Sequence, residues 1–171
     1  IRTFLSCMPS NIYEVPERKP MGDDPNRREE ELLGIVPFER KKVYDMYKVI
    51  RLLVDKGQFF EMRKHYGSAV ITAFARFDGY PVALVASNPN VDGGGINGNA
   101  AQKVERFIDL ACMFNVPIVA LPDTPGLMIG IDAEKTGTVR HGMAAVMAAS
   151  DATVPKVQIC VRKGYGIGFG L

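Results

Sequence analysis

Residues 68–87 read SAVITAFARFDGYPVALVAS. Two apolar runs flank Asp78-Gly79, a dipeptide that tolerates positive φ, so the stretch predicts a β-hairpin with a tight reversal. The chain beyond it changes in kind. The loop NPNVDGGGING (88–98) leads into a stretch where Ala101, Val104, Phe107, Ile108 and Ala111 share one helical face, with Asn99 as the predicted cap and an end near Asn115. The short apolar run VPIVAL (116–121) comes next. It is followed by the break PDTPGLMIG (122–130), a helix-like stretch from Ala133 to about Ala149 carrying Met143, Val146 and Met147, and a last run, PKVQICV (155–161). Strands separated by helices require crossover connections, so the later strands are expected to run parallel beneath helices. The order predicts an α/β fold.

Upstream of the hairpin, VYDMYKVIRLLVDKG (43–57) sets Val43, Met46, Tyr47, Ile50, Leu53 and Val54 on one helical stripe, with Gly57 as a plausible cap. Before it, Pro9, Pro16, Pro20, Pro25 and Pro37 lie among many charges, a density that forbids a continuous helix or a central strand. Residues 1–40 are therefore expected to form a linker or a surface-hugging arm, and residues 41–171 one domain. A chain of 171 residues, 47% hydrophobic, has room for one ordinary core and a tail.

Twenty-one basic against nineteen acidic residues give a dispersed net charge of +2, which offers no footprint for nucleic acid and leaves room for a small anionic ligand. Cys7, Cys112 and Cys160 are odd in number and far apart, arguing against a disulfide framework or a structural zinc and for buried free thiols in a reducing compartment. No apolar run reaches the length of a membrane span, and the start lacks the long apolar core of a signal peptide. A cytoplasmic or organelle-matrix protein is expected. Ile1 in place of an initiator Met, and a chain stopping inside the glycine-rich RKGYGIGFGL (162–171), suggest the interior of a longer polypeptide.

Three stretches could carry chemistry. GYGIGFG (164–170) follows a predicted buried strand where a helix would begin, and its main-chain N–H groups could cradle an anion; on pattern alone a tightly packed strand end fits as well. NPNVDGGGING is either a flexible connector or a ligand loop. PDTPGLMIG, stiffened by Pro122 and Pro125 and turned at Gly126, reads as a preorganised wall beside a cavity, with Asp123 more often structural than a ligand contact. His65 and His141 have no Ser, Cys or second carboxylate placed to form a nucleophile constellation. Glu61 with Arg63 and Lys64, and Glu134 with Lys135, read as solvated helix faces.

Seven runs in order, RTFLSCMPSN (2–11), DDPNRREEELLGIVP (23–37), YDMYKVIRLLVDKGQFFE (44–61), FARFDGYPVALVASNP (74–89), KVERFIDLACMFNVPIVALPDTPGLMIG (103–130), TGTVRHG (136–142) and ATVPKVQICVRKGYG (152–166), resemble the carboxyltransferase β-type subunits of biotin-dependent acyl-CoA carboxylases. The resemblance implies a crotonase-like fold built of β-β-α units, with the chain covering the interdomain linker and the first part of the C-terminal of two such domains, incomplete at its end. It implies an enzyme that moves a carboxyl group from carboxybiotin to the α-carbon of an acyl-CoA, its donors being the main-chain N–H groups of Ile167 and Gly168. Gly94, Gly95, Gly126, Tyr165 and Gly166 would line the biotin side. Gly170 stands where the family often has an Asp or Ile that lines the acyl pocket.

The chain departs from the family at Ile167, usually Gly, and at Asn97, commonly Asp. Implied partners are a biotin carboxylase and biotin carrier subunit, the N-terminal carboxyltransferase domain of a neighbouring subunit, and further copies in a trimer-of-dimers hexamer. No metal is implied. A decarboxylase running the reverse transfer, or a non-catalytic assembly domain on the same fold, remain the alternatives.

Overall fold

The computed structural model describes every residue except Pro25 and Leu171, and of Ile167 and Phe169 the main chain alone. Two single helical turns, α1 (Arg2–Leu5) and α2 (Leu32–Ile35), interrupt the proline-rich arm. After them come α3 (Met46–Leu53), β1 (Phe59–Met62), β2 (Val70–Phe77), β3 (Tyr80–Ser87), α4 (Gly98–Met113), β4 (Ile118–Leu121), α5 (Ile131–Lys135), α6 (Thr138–Asp151) and β5 (Lys156–Gln158). The five strands form one sheet in chain order, β1-β2-β3-β4-β5. The first two pairings are antiparallel and the last two parallel.

The hairpin forms as read. β2 and β3 pair from Val70↔Ser87 to Phe77↔Tyr80, leaving only Asp78 and Gly79 in the turn, both at positive φ (50° and 78°). Those are the conditions of a reversal that matches strand twist. The carboxylate of Asp55 holds it, accepting the N–H of Asp78 at 2.9 Å and of Gly79 at 2.7 Å.

The arm closes over this turn. Lys19 N–H donates to the Gly79 carbonyl, and the buried Arg76 donates to the carbonyls of Gly79, Glu17 and Ser6. A Cβ at Gly79 would lie 2.3 Å from the Lys19 carbonyl oxygen. Asn115 on the far end of α4 donates to the carbonyls of Ile12 and Glu14.

Both faces of β2, β3 and β4 are covered, which is why these strands read as nearly unbroken apolar runs, while β5 is exposed. On one face Val70, Phe74, Ala83 and Val85 meet Ala101, Val104, Phe107 and Ile108 of α4, with Ala145 and Ala149 of α6. Phe74 packs edge-on to Phe4 of the arm at 5.7 Å and against Phe107 at 5.1 Å between ring centroids. On the other face Ile71, Ala75, Val82, Leu84 and Leu121 meet Met46, Val49 and Ile50 of α3. The result is three layers, α3 on one side and α4 with α6 on the other.

Several sequence expectations are corrected. β1 is a strand that no sequence pattern announces: Glu61 lies in it, half-buried, and accepts the Tyr47 hydroxyl, so it is no solvated helix face. The cap of α4 is Asn97, whose side chain accepts Ala100 N–H, and the helix ends at Met113. The expected helix from Ala133 is two helices broken at Gly137, which takes a left-handed conformation (φ 66°). In α6 the small residues Thr138, Gly142, Ala145 and Ala149 face inward, while Met143 and Met147 are exposed. Val43 precedes α3 and is exposed. Of the cysteines, Cys7 is buried, Cys112 half-buried and Cys160 exposed.

Candidate functional site

Because β3, β4 and β5 run parallel, their carboxyl ends share one edge of the sheet, and each leads into one of the three loops singled out from sequence. Such an edge is where open α/β sheets place ligands. The loops lie on one another. Ile96 N–H donates to the Gly126 carbonyl and Met128 N–H to the Ile96 carbonyl, joining 88–98 to 122–130. Thr124 N–H donates to the Lys163 carbonyl and Tyr165 N–H to the Thr124 carbonyl, joining 122–130 to the terminal loop. Lys163 Nζ spans from the terminal loop to the Gly93 carbonyl at 3.0 Å.

Glycine makes this approach possible. A Cβ at Gly94 would stand 2.4 Å from the Asp123 carbonyl oxygen, one at Gly126 3.1 Å from that of Tyr165, and one at Gly168 2.9 Å from Thr124 Cγ2 and 3.0 Å from Gly126 Cα. A Cβ at Gly95 would meet the Met128 sulfur at 2.5 Å. The N–H groups of Gly94 and Gly95 donate to the carbonyls of Val91 and Asp92, and that of Gly126 to Thr124 Oγ1. These three glycines therefore serve the packing of the loops, with their amides engaged inside them.

The turn Gly166–Phe169 is a single 3-10 turn. The leading N–H groups of such a turn, here those of Gly166 and Ile167, have no acceptor within it. Nothing lies within 4 Å of where a Gly166 Cβ would be, so the turn is open on that side. Gly168 is buried and lies along a small gap beneath the loops, with Ile96 and Pro122. Gly170 borders a cavity of about 220 Å³ lined by Val85, Ile108, Ile118, Ala120 and Ala149 together with Lys156 and Gln158. Beside loop 88–98, a cleft of about 430 Å³ runs between Asn97, Asn99, Met128 and Thr136. Tyr165 is half-exposed, its hydroxyl accepting from Arg40 at 3.1 Å.

The group that organises the site is Asp123, read from sequence as more often structural than a ligand contact; its partners are what sequence reasoning missed. Asp123, with no exposed surface, accepts Lys163 N–H at 3.0 Å through Oδ1 and Arg162 Nη2 at 3.0 Å through Oδ2. Its own N–H donates to Ser87 Oγ at the end of β3. The Arg162 guanidinium lies 4.9 Å over the Tyr44 ring. Burial, reinforced by the neighbouring Asp123 carboxylate, pushes the Tyr44 phenol far above its ordinary range, so it stays protonated. The signal was present as an Asp two residues before a Pro facing an Arg-Lys pair, but separations of about forty residues are invisible to local reading.

His141 stands against Gln102, 2.8 Å from Nε2 to the amide nitrogen, and no nucleophile partners it. His65 is exposed. Among the described residues there is no cluster of His, Cys, Asp and Glu that could hold a metal, and no helix long and apolar enough to cross a membrane.

The carboxyl transferase domain family matches residues 1–169. Among curated relatives, the chain is 42% identical over 166 residues to the methylmalonyl-CoA decarboxylase subunit alpha of Veillonella parvula, covering 97% of this chain and 33% of that one. It is 39% identical over 166 residues to the propionyl-CoA carboxylase carboxyltransferase subunit of Haloferax mediterranei, covering 97% of this chain and 32% of the relative. The transcarboxylase 12S structure, a hexamer assembly with hydrolysed methylmalonyl-coenzyme A bound, superposes with a TM-score of 0.94 at 38% identity, over 98% of this chain and 33% of that one. The chain thus spans about a third of the length of these relatives. The crotonase-like fold expected from the resemblance is the fold of these neighbours.

Proposed function

Because this chain belongs to the carboxyl transferase domain family, we propose that it is the carboxybiotin-receiving part of an enzyme that moves a carboxyl group to the α-carbon of an acyl-CoA. Residues 1–40 are its arm and residues 41–171 part of its C-terminal domain. The observation that carries this reading is the stacking of three glycine loops at the carboxyl ends of β3, β4 and β5, with open space beside Gly166 at the head of the 166–169 turn.

Biotin, arriving on a carrier subunit, would supply a carboxyl bound to its ureido ring and gather negative charge on the ureido oxygen as that carboxyl leaves. The residues present fit such a group. A flat neutral ring needs N–H donors and apolar walls, and the turn offers the leading main-chain N–H of Ile167, open space beside Gly166, and the half-exposed Tyr165 ring, whereas the Gly168 N–H expected to act with it falls among those a 3-10 turn bonds internally. Fixed donors aimed at developing charge are worth several kcal/mol, because they need no reorganisation at the moment of reaction. No side-chain nucleophile is required, in keeping with a site whose ionisable residues, Asp123, Arg162 and Lys163, are paired with one another. The thioester half of the reaction belongs to an N-terminal domain from a neighbouring subunit. Copies assemble as a trimer of dimers in the cytoplasm, or in the mitochondrial matrix of a eukaryote.

Gly170 leaves room beside a cavity of about 220 Å³, which favours a larger or branched acyl group; a Gly170→Ile variant with unchanged acyl preference would contradict that. The reverse transfer is a second reading, favoured by 42% identity to a decarboxylase subunit. The same donors serve both directions. The test is transfer of carboxyl from carboxylated carrier to acyl-CoA by the full-length protein, with Ile167→Pro deleting one N–H. We expect transfer to fall about 100-fold in the variant, with KM for acyl-CoA unchanged. No transfer by the wild type, in either direction and with any acyl-CoA, would dismiss the reading in favour of an assembly domain.

A further inference from the structure

Asp123 is fully buried, but both of its oxygens are occupied by the chain itself, so it is not a group that waits for substrate. Its partner Arg162, with 8% of its side chain exposed, reaches in two directions. Nη2 holds Asp123, while Nη1 donates to the carbonyls of Lys42 at 2.7 Å and Glu39 at 3.3 Å. Two residues earlier than Lys42, Arg40 donates to the Tyr165 hydroxyl. Residues 39–44 are thereby fastened to residues 162–165, immediately before the glycine turn.

Stability does not account for this arrangement. Burying an ion pair costs about as much in lost hydration as attraction returns, and apolar residues of similar volume commonly serve a core as well or better. Here the burial also leaves Arg162 Nε without a hydrogen-bond partner among the described residues. What an arginine–carboxylate link supplies in exchange is a fixed direction. The adjoining segment has four glycines in seven positions, 164–170, and glycine restrains the main chain less than any other residue. Its amides must nevertheless meet a small acceptor within a fraction of an ångström.

We propose that Asp123 and Arg162 are positioning residues for carboxyl transfer: together they set the glycine turn against loop 122–130 and lock residues 39–44, the junction of arm and domain, to it, making that junction part of the site. The inference rests on the carboxyltransferase reading. Neither residue touches the reacting groups; both act through the main chain of Lys163 and the turn beyond it.

The test uses the full-length enzyme with Arg162→Lys, Arg162→Gln, and the double variant Asp123→Asn with Arg162→Gln, which carries no unpaired buried charge should a single change fail to fold. We expect kcat per folded molecule to fall about tenfold to 100-fold in the double variant and in Arg162→Gln, with KM for acyl-CoA constant within about twofold. Arg162→Lys should restore only part of the rate, because lysine keeps the charge without the two-armed reach. Hydrogen exchange should quicken at 164–169 while exchange in α4 holds. A lower melting temperature with unchanged kcat, full rescue by lysine, or uniformly faster exchange would each overturn the proposal. If the wild type shows no transfer, the functional reading fails, and the exchange pattern alone decides whether the pair positions the turn.

Discussion

At Gly94 and Gly93, adjacent residues with positive φ (84° and 62°) have opposite surroundings. A Cβ at Gly94 collides with the Asp123 carbonyl, whereas nothing lies within 4 Å of one at Gly93. Gly93→Ala should cost about 1 kcal/mol, the ordinary penalty of the left-handed conformation, and Gly94→Ala about 3 kcal/mol or more, since backbone must move. Urea denaturation of the two variants checks the ordering. Lys103 offers a pH test. Its ammonium, buried beneath β2, donates to the Val70 carbonyl, and burial pushes its pKa down to about 8 from an ordinary 10.5. Below about pH 8 folded and unfolded chains both carry the charge, and the burial penalty is fully present. From there to about 10.5 the folded amine gives up its proton first, so this group adds stability as pH rises. The unfolding free energy of wild type minus that of Lys103→Met should therefore increase across this window, and a flat difference would contradict the assignment.

The hairpin is the element whose formation rests most on a single side chain. Asp55→Ala strands two N–H groups at the reversal, and a loss of about 2–4 kcal/mol is expected, with Asp55→Asn recovering part of it; chemical denaturation measures both. The hairpin, α3, α4 and the parallel order of β3 to β5 were legible because each obeys a short-range periodicity or turn rule. β1 was not, since Phe59–Met62 shows no alternation in exposure, each residue being half-buried. The break at Gly137 was hidden within a helical pattern. α6 misled because its interface with α4 is built of Ala, Gly and Thr, so the large residues that draw the eye lie outside. In the site, the glycines stood out in sequence, but what they approach did not: the contact of Gly94 with Asp123, or of Arg162 with Lys42, joins residues that only topology makes neighbours.

At the scale of the whole molecule, one run of exposed apolar residues follows a single element: Val139, Met143 and Met147 succeed one another at helical spacing on α6, and Ile129 and Ile131, just before it in the chain, are 91% and 74% exposed. In the proposed assembly this is covered surface. Introducing Met143→Glu and Met147→Glu into the full-length protein is expected to reduce its mass in sedimentation from the hexamer toward smaller species; an unaltered hexamer would place the contacts elsewhere. The 171-residue chain alone should show no carboxyl transfer when assayed with carrier and acyl-CoA, and activity from it unaided would mean that the thioester half is not needed. Finally, among the described residues β5 borders only β4, and all three of its residues are exposed. Within it and just past it, Val157 and Ile159 are each more than half exposed, next to the exposed Lys156. When prepared by itself this polypeptide should grow sticky with concentration, and Val157→Lys with Ile159→Lys should keep it in solution.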